Sequence, residues 1–411
     1  MYRQHFPDDP GMHNMPRTYN SRTPSYRRQH NLSVWHHIKR SFVTFVIGNL
    51  LLSIAAVLVF WNEGRAVQTS QSLDEGLHIV RILKSAEVIF DENNGKLVHL
   101  SGTLKTSKLL YDEDYSVSVA AVKLRRRVEM YQWIETEERR DVRDGDSVQE
   151  EVSYSYSAEW RSDLTRSTSF NSRLHNNPDK FPVEAKIYIA DDVQVGNFFL
   201  TQNLIEKVTN FHDLHLTEPA KNVNVKLYGG LYYHGKDPLH PEIGDMRVIF
   251  DYAGLSGPED SKLGPPDVVS ILAKQSGSQL IAYQTETGDE LQLLYNGHHS
   301  AESMIGYEKM TNSLILWALR FVGWLLMFIG FGCLSGFLHN MVDRVPILHE
   351  VVSLGTVSFS LTFSISLSLI VIAASWIWYR PYLGISIMAM AIIPLITFHI
   401  RYQRSRAYRP V

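Results

Sequence analysis

Cysteine is almost absent: the 411 residues contain one, Cys333, inside an apolar stretch. That excludes an intrachain disulfide, a disulfide-stapled scaffold and any cysteine cluster for zinc or redox chemistry. Residues 62–313 also lack an Asn-x-Ser/Thr acceptor, the one match in the chain being Asn31-Leu32-Ser33. A cell-surface ectodomain usually carries disulfides, glycans or both, so their joint absence points to an internal membrane such as the endoplasmic reticulum and the nuclear envelope continuous with it.

Charge is the third thing missing, and only locally. Residues 42–61 carry none, residues 314–337 carry only Arg320, and 351–379 and 382–400 are uncharged on either side of Arg380-Pro381. Twenty helical residues cover about 30 Å, the hydrocarbon thickness of a bilayer. The predicted fold class is therefore an α+β membrane protein with four transmembrane helices, at 42–61, 314–337, 351–378 and 383–400. Arg320 lies near the end of its span, from which it is expected to snorkel toward the headgroups. The third and fourth spans form a hairpin through a turn at 379–382, where Pro381 breaks the helix and the flanking aromatics suit the interface.

Sidedness follows from the flanking charges. Residues 62–313 hold 26 Lys+Arg and 39 Asp+Glu, whereas the rest of the chain holds 14 basic and 4 acidic residues. The tail 1–41, disordered and basic, the loop 338–350 and the tail 401–411 belong on the cytoplasmic or nucleoplasmic face, with 62–313 in the lumen. Two spans with a re-entrant hairpin would give the same sidedness. The first span serves as a signal anchor, since forty polar, proline-containing residues precede it.

Within 62–313 the periodicity is mostly two. Strands are expected in AVKLRRRVEM (121–130), VSYSYSAEW (152–160), KIYIA (186–190), VNVKLYG (223–229), MRVIFDY (246–252), VVSILAK (268–274), QLIAYQT (279–285) and ELQLLY (290–295). Spacing of three and four predicts a helix over 197–211 and another from Ser300 into the second span. The charged segment 139–151 reads as a long exposed hairpin loop.

Candidate chemistry is thin. The acidic run Glu135–Glu151 lacks the register of a calcium loop. His212, His215, His234, His298 and His299 match no zinc spacing, and AGLSG at 253–257 is a turn and not a nucleophile elbow. Arg125, Arg126 and Arg127 could meet anionic headgroups, but on a strand Arg126 points away from its neighbours. No phosphate loop, dinucleotide fingerprint or nucleic-acid module is present. The reading is a non-enzyme with no cofactor, no metal site and no nucleic-acid partner. What remains are small-residue ridges for helix packing, Gly332 and Gly336 in the second span and Ser358, Thr362 and Ser366 in the third, with Ser360, Ser364 and Ser368 as a parallel ridge. Lys39, Arg40, Arg401, Arg404, Arg406 and Arg409 are candidates for anionic lipid or acidic partners.

Several strings taken together resemble the transmembrane protein 43 (LUMA) family: NEGRAV at 62–67, GTLKTSKLL at 102–110, AVKLRRRVEMYQWIETEE at 121–138, SYSAEWRS at 155–162, YAGLSG at 252–257 and WYRP at 378–381. The resemblance implies a four-span protein of the endoplasmic reticulum and inner nuclear membrane that self-associates and organises nuclear-envelope complexes with lamins and emerin. It implies no catalytic residues. The competing reading is a lipid-binding or lipid-handling protein, for which an apolar cavity beside Trp133, Tyr154 or Trp160 would be the mark.

Protease treatment of sealed microsomes checks the sidedness: a tag at the amino end is digested and a tag within 139–151 is protected. The reverse pattern would overturn the orientation.

Overall fold

The computed structural model describes residues 19–22, 34–144, 147–342 and 356–382. They fall into two compact units, one formed by 1–29, 81–281 and 292–299, the other by 30–80, 282–291 and 300–411.

The second unit is helical. Helix α1 (Val34–Ile79) has 46 residues, about 69 Å at 1.5 Å per residue, more than twice the thickness of a bilayer core. It does not stop at Trp61. Beyond it, Asn62, Ala66, Leu73 and Gly76 are buried at near-heptad spacing, and so are Ala301, Met304, Ile305 and Asn312 at the start of a second long helix. Three helices among the described residues are long and apolar enough to cross a membrane: Phe42–Ile79, Ala301–Ser335 and Ser360–Tyr379. The expected fourth span, 383–400, lies outside the described residues, as do 343–355 and the tail 401–411.

The first unit holds two large sheets, a two-stranded sheet of Leu110–Asp112 with Val117–Val119 and one short α-helix. Its strands in chain order are β1 (Tyr19–Arg22), β2 (Arg81–Ile82), β3 (Leu97–Thr106), β4 (Leu110–Asp112), β5 (Val117–Val119), β6 (Ala121–Asp144), β7 (Ser147–Arg161), β8 (Lys186–Ile189), β9 (Val193–Val195) and β10 (Phe198–Leu200). Helix α2 (Gln202–Glu206) follows, then β11 (Phe211–Asp213), β12 (Val225–Tyr228), β13 (Leu231–His234), β14 (Met246–Leu255), β15 (Val268–Ser276) and β16 (Gln279–Ile281). Strands β17 (Tyr283–Gln284) and β18 (Glu290–Leu291) form a hairpin of the helical unit before β19 (Leu293–Asn296) returns to the first. The remaining long helices are α3 (Ala301–Val342) and α4 (Thr356–Tyr379).

One sheet runs β1-β7-β6-β14-β13-β12, with β8 on β6 and β11 on β14. The other runs β19-β15-β16-β10-β9-β3-β2, and an additional β15–β3 pairing closes β3, β15, β16, β10 and β9 into a ring. Closure removes two sheet edges and encloses Leu100, Leu104, Val195, Phe198, Leu204 and Ile271 in a packed cluster. A second cluster, with Leu124, Val128, Met130, Tyr232, Val248 and Phe250, lies on the other sheet.

Three sequence expectations are corrected here. The helix over 197–211 reduces to the five residues of α2 between two short strands. Phe198, Leu200, Leu204, Ile205 and Val208 are all core residues, so their spacing records burial from several elements and not one helical face. The segment 139–151 is no loop: β6 and β7 stay paired from Met130↔Arg161 out to Asp144↔Ser147. Opposed charges such as Arg140↔Glu151 let a polar ladder persist where apolar periodicity is absent.

The first three residues of AGLSG, Ala253–Leu255, also belong to strand and not to a turn, and Ser256-Gly257 follow the strand's end. Gly254 sits inside β14 at φ +70°, and the pairing to β6 skips it, passing from Ala253↔Lys123 to Leu255↔Ala121. A Cβ there would lie 2.8 Å from Val122 Cγ2. Gly254→Ala combines left-handed backbone strain with this clash, and should cost about 1–3 kcal/mol. Urea unfolding of the purified chain, followed by the fluorescence of the domain tryptophans, reads that loss.

Candidate functional site: a polar lock between three helices

Four consecutive residues of α1, Asn62-Glu63-Gly64-Arg65, follow the first apolar run, and each meets another helix or its own neighbour. Glu63 is 2 % exposed. Arg320 of α3 grips it with two bonds, Nε to Oε1 at 2.5 Å and Nη2 to Oε2 at 2.9 Å. Trp376 of α4 donates its indole N–H to the same Oε2 at 3.0 Å. Trp317, one helical turn from Arg320, lies under the guanidinium at 4.7 Å. The carboxylate thus binds one residue from each of two other helices, in the bidentate geometry that makes arginine pairs strong.

The neighbouring residues repeat the pattern through amide groups and the Arg65 guanidinium. Asn62 donates to the Leu316 carbonyl at 3.1 Å, Asn312 donates back to the Ala66 carbonyl at 2.9 Å, and Arg65 reaches Asn312 Oδ1 at 3.0 Å. Gly64 lets the Tyr379 ring approach so closely that a Cβ would fall 2.4 Å from Cζ. Tyr379 also packs on Phe60, ring centroids 5.4 Å apart. Past the lock, the β17–β18 hairpin is tied to α1: Gln68 donates to Asp289 Oδ1 at 2.8 Å and Glu75 accepts the Glu286 N–H at 2.9 Å. Lys309 of α3 pairs with Asp74.

Arg320 therefore does not snorkel. Its partner was hidden because Glu63, counted with the acidic block, reads as one lumenal charge among many. An ionisable residue inside a span calls for a named partner, and NEGR, the first charges after the first span, was the place to look.

The small-residue ridges divide. Ser360, Ser364 and Ser368 are buried within the bundle, whereas Ser358, Thr362 and Ser366 are exposed, Thr362 and Ser366 donating to carbonyls of their own helix. Packing inside the described bundle thus uses the parallel ridge. Gly332 faces α4, a Cβ there lying 4.0 Å from Ser360 Oγ; the surroundings of Gly336 lie outside the described residues. The closest helix approaches involve glycines not singled out from the sequence. A Cβ at Gly48 would meet the Gly330 carbonyl at 2.9 Å, and one at Gly323 would meet Val59 Cγ2 at 2.3 Å. Gly323 and Gly330 are seven apart on one face of α3, which was the available signal. Lys39 and Arg40 fall in the first turns of α1, with side chains outside the described residues, as are Arg401, Arg404, Arg406 and Arg409.

The three arginines of β6 are taken up inside the domain. Arg126, 4 % exposed, bonds Asp112 at 2.9 Å and Asp114 at 2.6 Å. Arg125 and Arg127 both hold Asp251, at 2.6 and 2.7 Å. Burial pushes the Asp251 carboxyl up, but the Arg127 and Arg125 hydrogen bonds outweigh it and leave it below the usual carboxylate range. Asp213 beside it is raised, by burial first and then by its hydrogen bond to Asp251. These cations form internal pairs and make no patch for headgroups. His99 and His234 are lowered by burial, and no three His, Cys, Asp or Glu side chains among the described residues gather to hold a metal.

Nor do the three aromatic rings line one apolar chamber. Trp133 packs edge-on to His175, and Trp160 lies against Tyr131 with Arg247 over it. Tyr154 borders an open recess of about 840 Å³ shared with Glu135, Glu137, Asn171 and Arg173.

The family described as Transmembrane protein 43 matches residues 130–381. Transmembrane protein 43 of Homo sapiens and of Mus musculus are each 42% identical over 357 residues, covering 86% of this chain and 89% of the relative. The Transmembrane protein 43 homolog of Drosophila melanogaster is 35% identical over 366 residues, covering 86% and 93%. No solved structure matches.

Removing one member of the lock strands the other charge. Glu63→Gln or Arg320→Met alone should cost about 3–5 kcal/mol, read as a lowered midpoint of thermal unfolding of the full chain in detergent. The Glu63→Gln/Arg320→Met double variant should lose much less than the sum of the two single losses; a double loss equal to that sum would deny the coupling.

Proposed function

The chain belongs to the transmembrane protein 43 family, and from that premise we propose that it is a non-enzymatic multi-pass membrane scaffold. Its membranes are the endoplasmic reticulum and the inner nuclear membrane. There it self-associates and organises nuclear-envelope complexes, with lamins and emerin as partners on the nucleoplasmic side. The observation that carries the reading is the polar lock. Glu63, Arg320 and Trp376 tie three membrane-crossing helices together, which suits a part whose task is to hold a fixed arrangement. The three arginines of β6 are paired within the domain: Arg126 with Asp112, and Arg125 and Arg127 with Asp251. The outward ridge Ser358, Thr362 and Ser366 offers four-residue spacing to a helix of another copy. The basic residues Lys39, Arg40, Arg401, Arg404, Arg406 and Arg409 provide contacts for anionic lipid or acidic partners on the other face, at about 1 kcal/mol per cation near the surface.

Two differently tagged copies expressed together in one cell give the test. Capture of one tag in mild detergent should recover the other, and Thr362→Leu, which fills the outward ridge, should lower that recovery. Recovery of each tag alone would remove self-association from the reading.

A further inference from the structure

The outer edge of β7 is a place where the sheet accepts another strand. Strand β6 occupies one side of β7 along its length, while on the other side Ser153–Tyr156 are paired antiparallel with β1, from Arg22↔Ser153 to Tyr19↔Tyr156. An edge that takes up four residues of extended chain has its N–H and C=O groups set to template a strand. Yet β1 precedes the apolar segment 42–61 and β7 follows it. A helix that crosses a bilayer puts the residues before and after it on opposite faces. In a membrane-embedded chain, the strand that fills this edge has to come from the domain's own side.

The edge itself describes a suitable strand. Ser153-Tyr154-Ser155-Tyr156-Ser157 reads the same in both directions about Ser155. Two such edges related by a two-fold axis normal to the sheet run antiparallel and keep the same face up. Ser155 then meets its own counterpart, Tyr154 meets Tyr156, and Ser153 meets Ser157. Residues 152–158 contain no charge and no proline, the usual devices that keep sheet edges apart. The strand is also held in place from beneath: Tyr156 is fully buried, stacked on His175 at 4.1 Å, and donates to Glu135 Oε2 at 2.5 Å.

We propose that the β7 edge is a homotypic docking surface: a second copy of this chain adds its own β7 antiparallel about Ser155, extending one sheet across two domains. The contact is isologous and closes at two copies. It rests on the self-association read above and names the surface that carries it.

Directly opposed residues on antiparallel strands have Cα atoms roughly 4.5–5.5 Å apart, within disulfide range. Ser155→Cys in a Cys333→Ser background, expressed in cells with an oxidising lumen, should give a disulfide-linked dimer on a non-reducing gel. Adding Ser153→Lys, which places a charge at the edge, should remove most of that dimer while the protease-protected domain fragment persists. A protected, folded domain that forms no dimer through Cys at 155 overturns the proposal, and so does a disulfide adduct to a different protein. An intrachain disulfide in Asn20→Cys/Ser155→Cys also overturns it, because the tail would then share the domain's side. Co-recovery of two tags from the same membranes separates the levels. Tags that co-recover without a 155 disulfide sink the edge and leave self-association standing; tags that do not co-recover sink both.

Discussion

A charge at the edge of a bilayer needs a partner, and the helical unit is arranged around that requirement. Removing a carboxylate from water costs several kcal/mol even after relaxation; Glu63 recovers this through two guanidinium bonds and an indole N–H. The geometry also fixes register. A slide of one turn, about 5.4 Å, would break the ion pair. It would also part Asn62 from the Leu316 carbonyl and Asn312 from the Ala66 carbonyl. The same slide would take Gly48 from Gly330 and Gly323 from Val59, putting larger side chains where only hydrogen atoms fit. The polar lock and the glycine contacts therefore specify one alignment of α1 with α3, and α4 joins through Trp376 and Tyr379.

The strand-rich unit solves the same problem in its own interior. Arg126 lies on the inward face of β6 with Leu124, Val128 and Met130, and it is tolerated there because Asp112 and Asp114 receive it. Its neighbours, on the opposite face, converge on Asp251, which β14 brings directly across from Arg125. Leaving any of these groups alone would cost more than the pair contributes, so their value lies in excluding other pairings. A strand register shifted by one residue would bury Arg125 and Arg127 and expose Arg126.

Much of this architecture was legible in the sequence, and the exceptions share a cause. The apolar runs gave three described spans, and alternation placed β6, β7, β8, β12, β14 and β15, because both signals come from a residue's own environment. QLIAYQT instead divides into β16 and β17, and ELQLLY into β18 and β19. Signals that need a partner were lost. The spacing at Phe198, Leu204 and Val208 looked helical because strand, helix and loop residues converge on one core. Residues 139–151 looked like a loop because their pairing is made by opposed polar residues, which leave no apolar period. Glu63 and Arg320 are 257 positions apart, and nothing local to either marks the other. Gly48 and Gly330 were equally silent, since a glycine reveals a close approach only when the atom it admits is known.

Valence limits what a scaffold can build. A self-complementary edge such as β7 is used up when one partner binds, so it makes pairs and no more. Larger assemblies need a second, separate contact on each copy. On the reading proposed above, that contact would be the outward ridge Ser358, Thr362 and Ser366, in the other unit and on the far side of α4 from the buried ridge Ser360, Ser364 and Ser368. The division of the serines matters for this reason: one row of α4 packs within the bundle, and the row on its opposite face is left exposed. Sheet edge and helix ridge differ in chemistry as well. Backbone hydrogen bonding in water is specific but modest, while close helix packing acts in lipid, where small residues and not apolar burial drive association. With one contact in each solvent, the proposed pairing of domains and gathering of bundles would respond to different conditions.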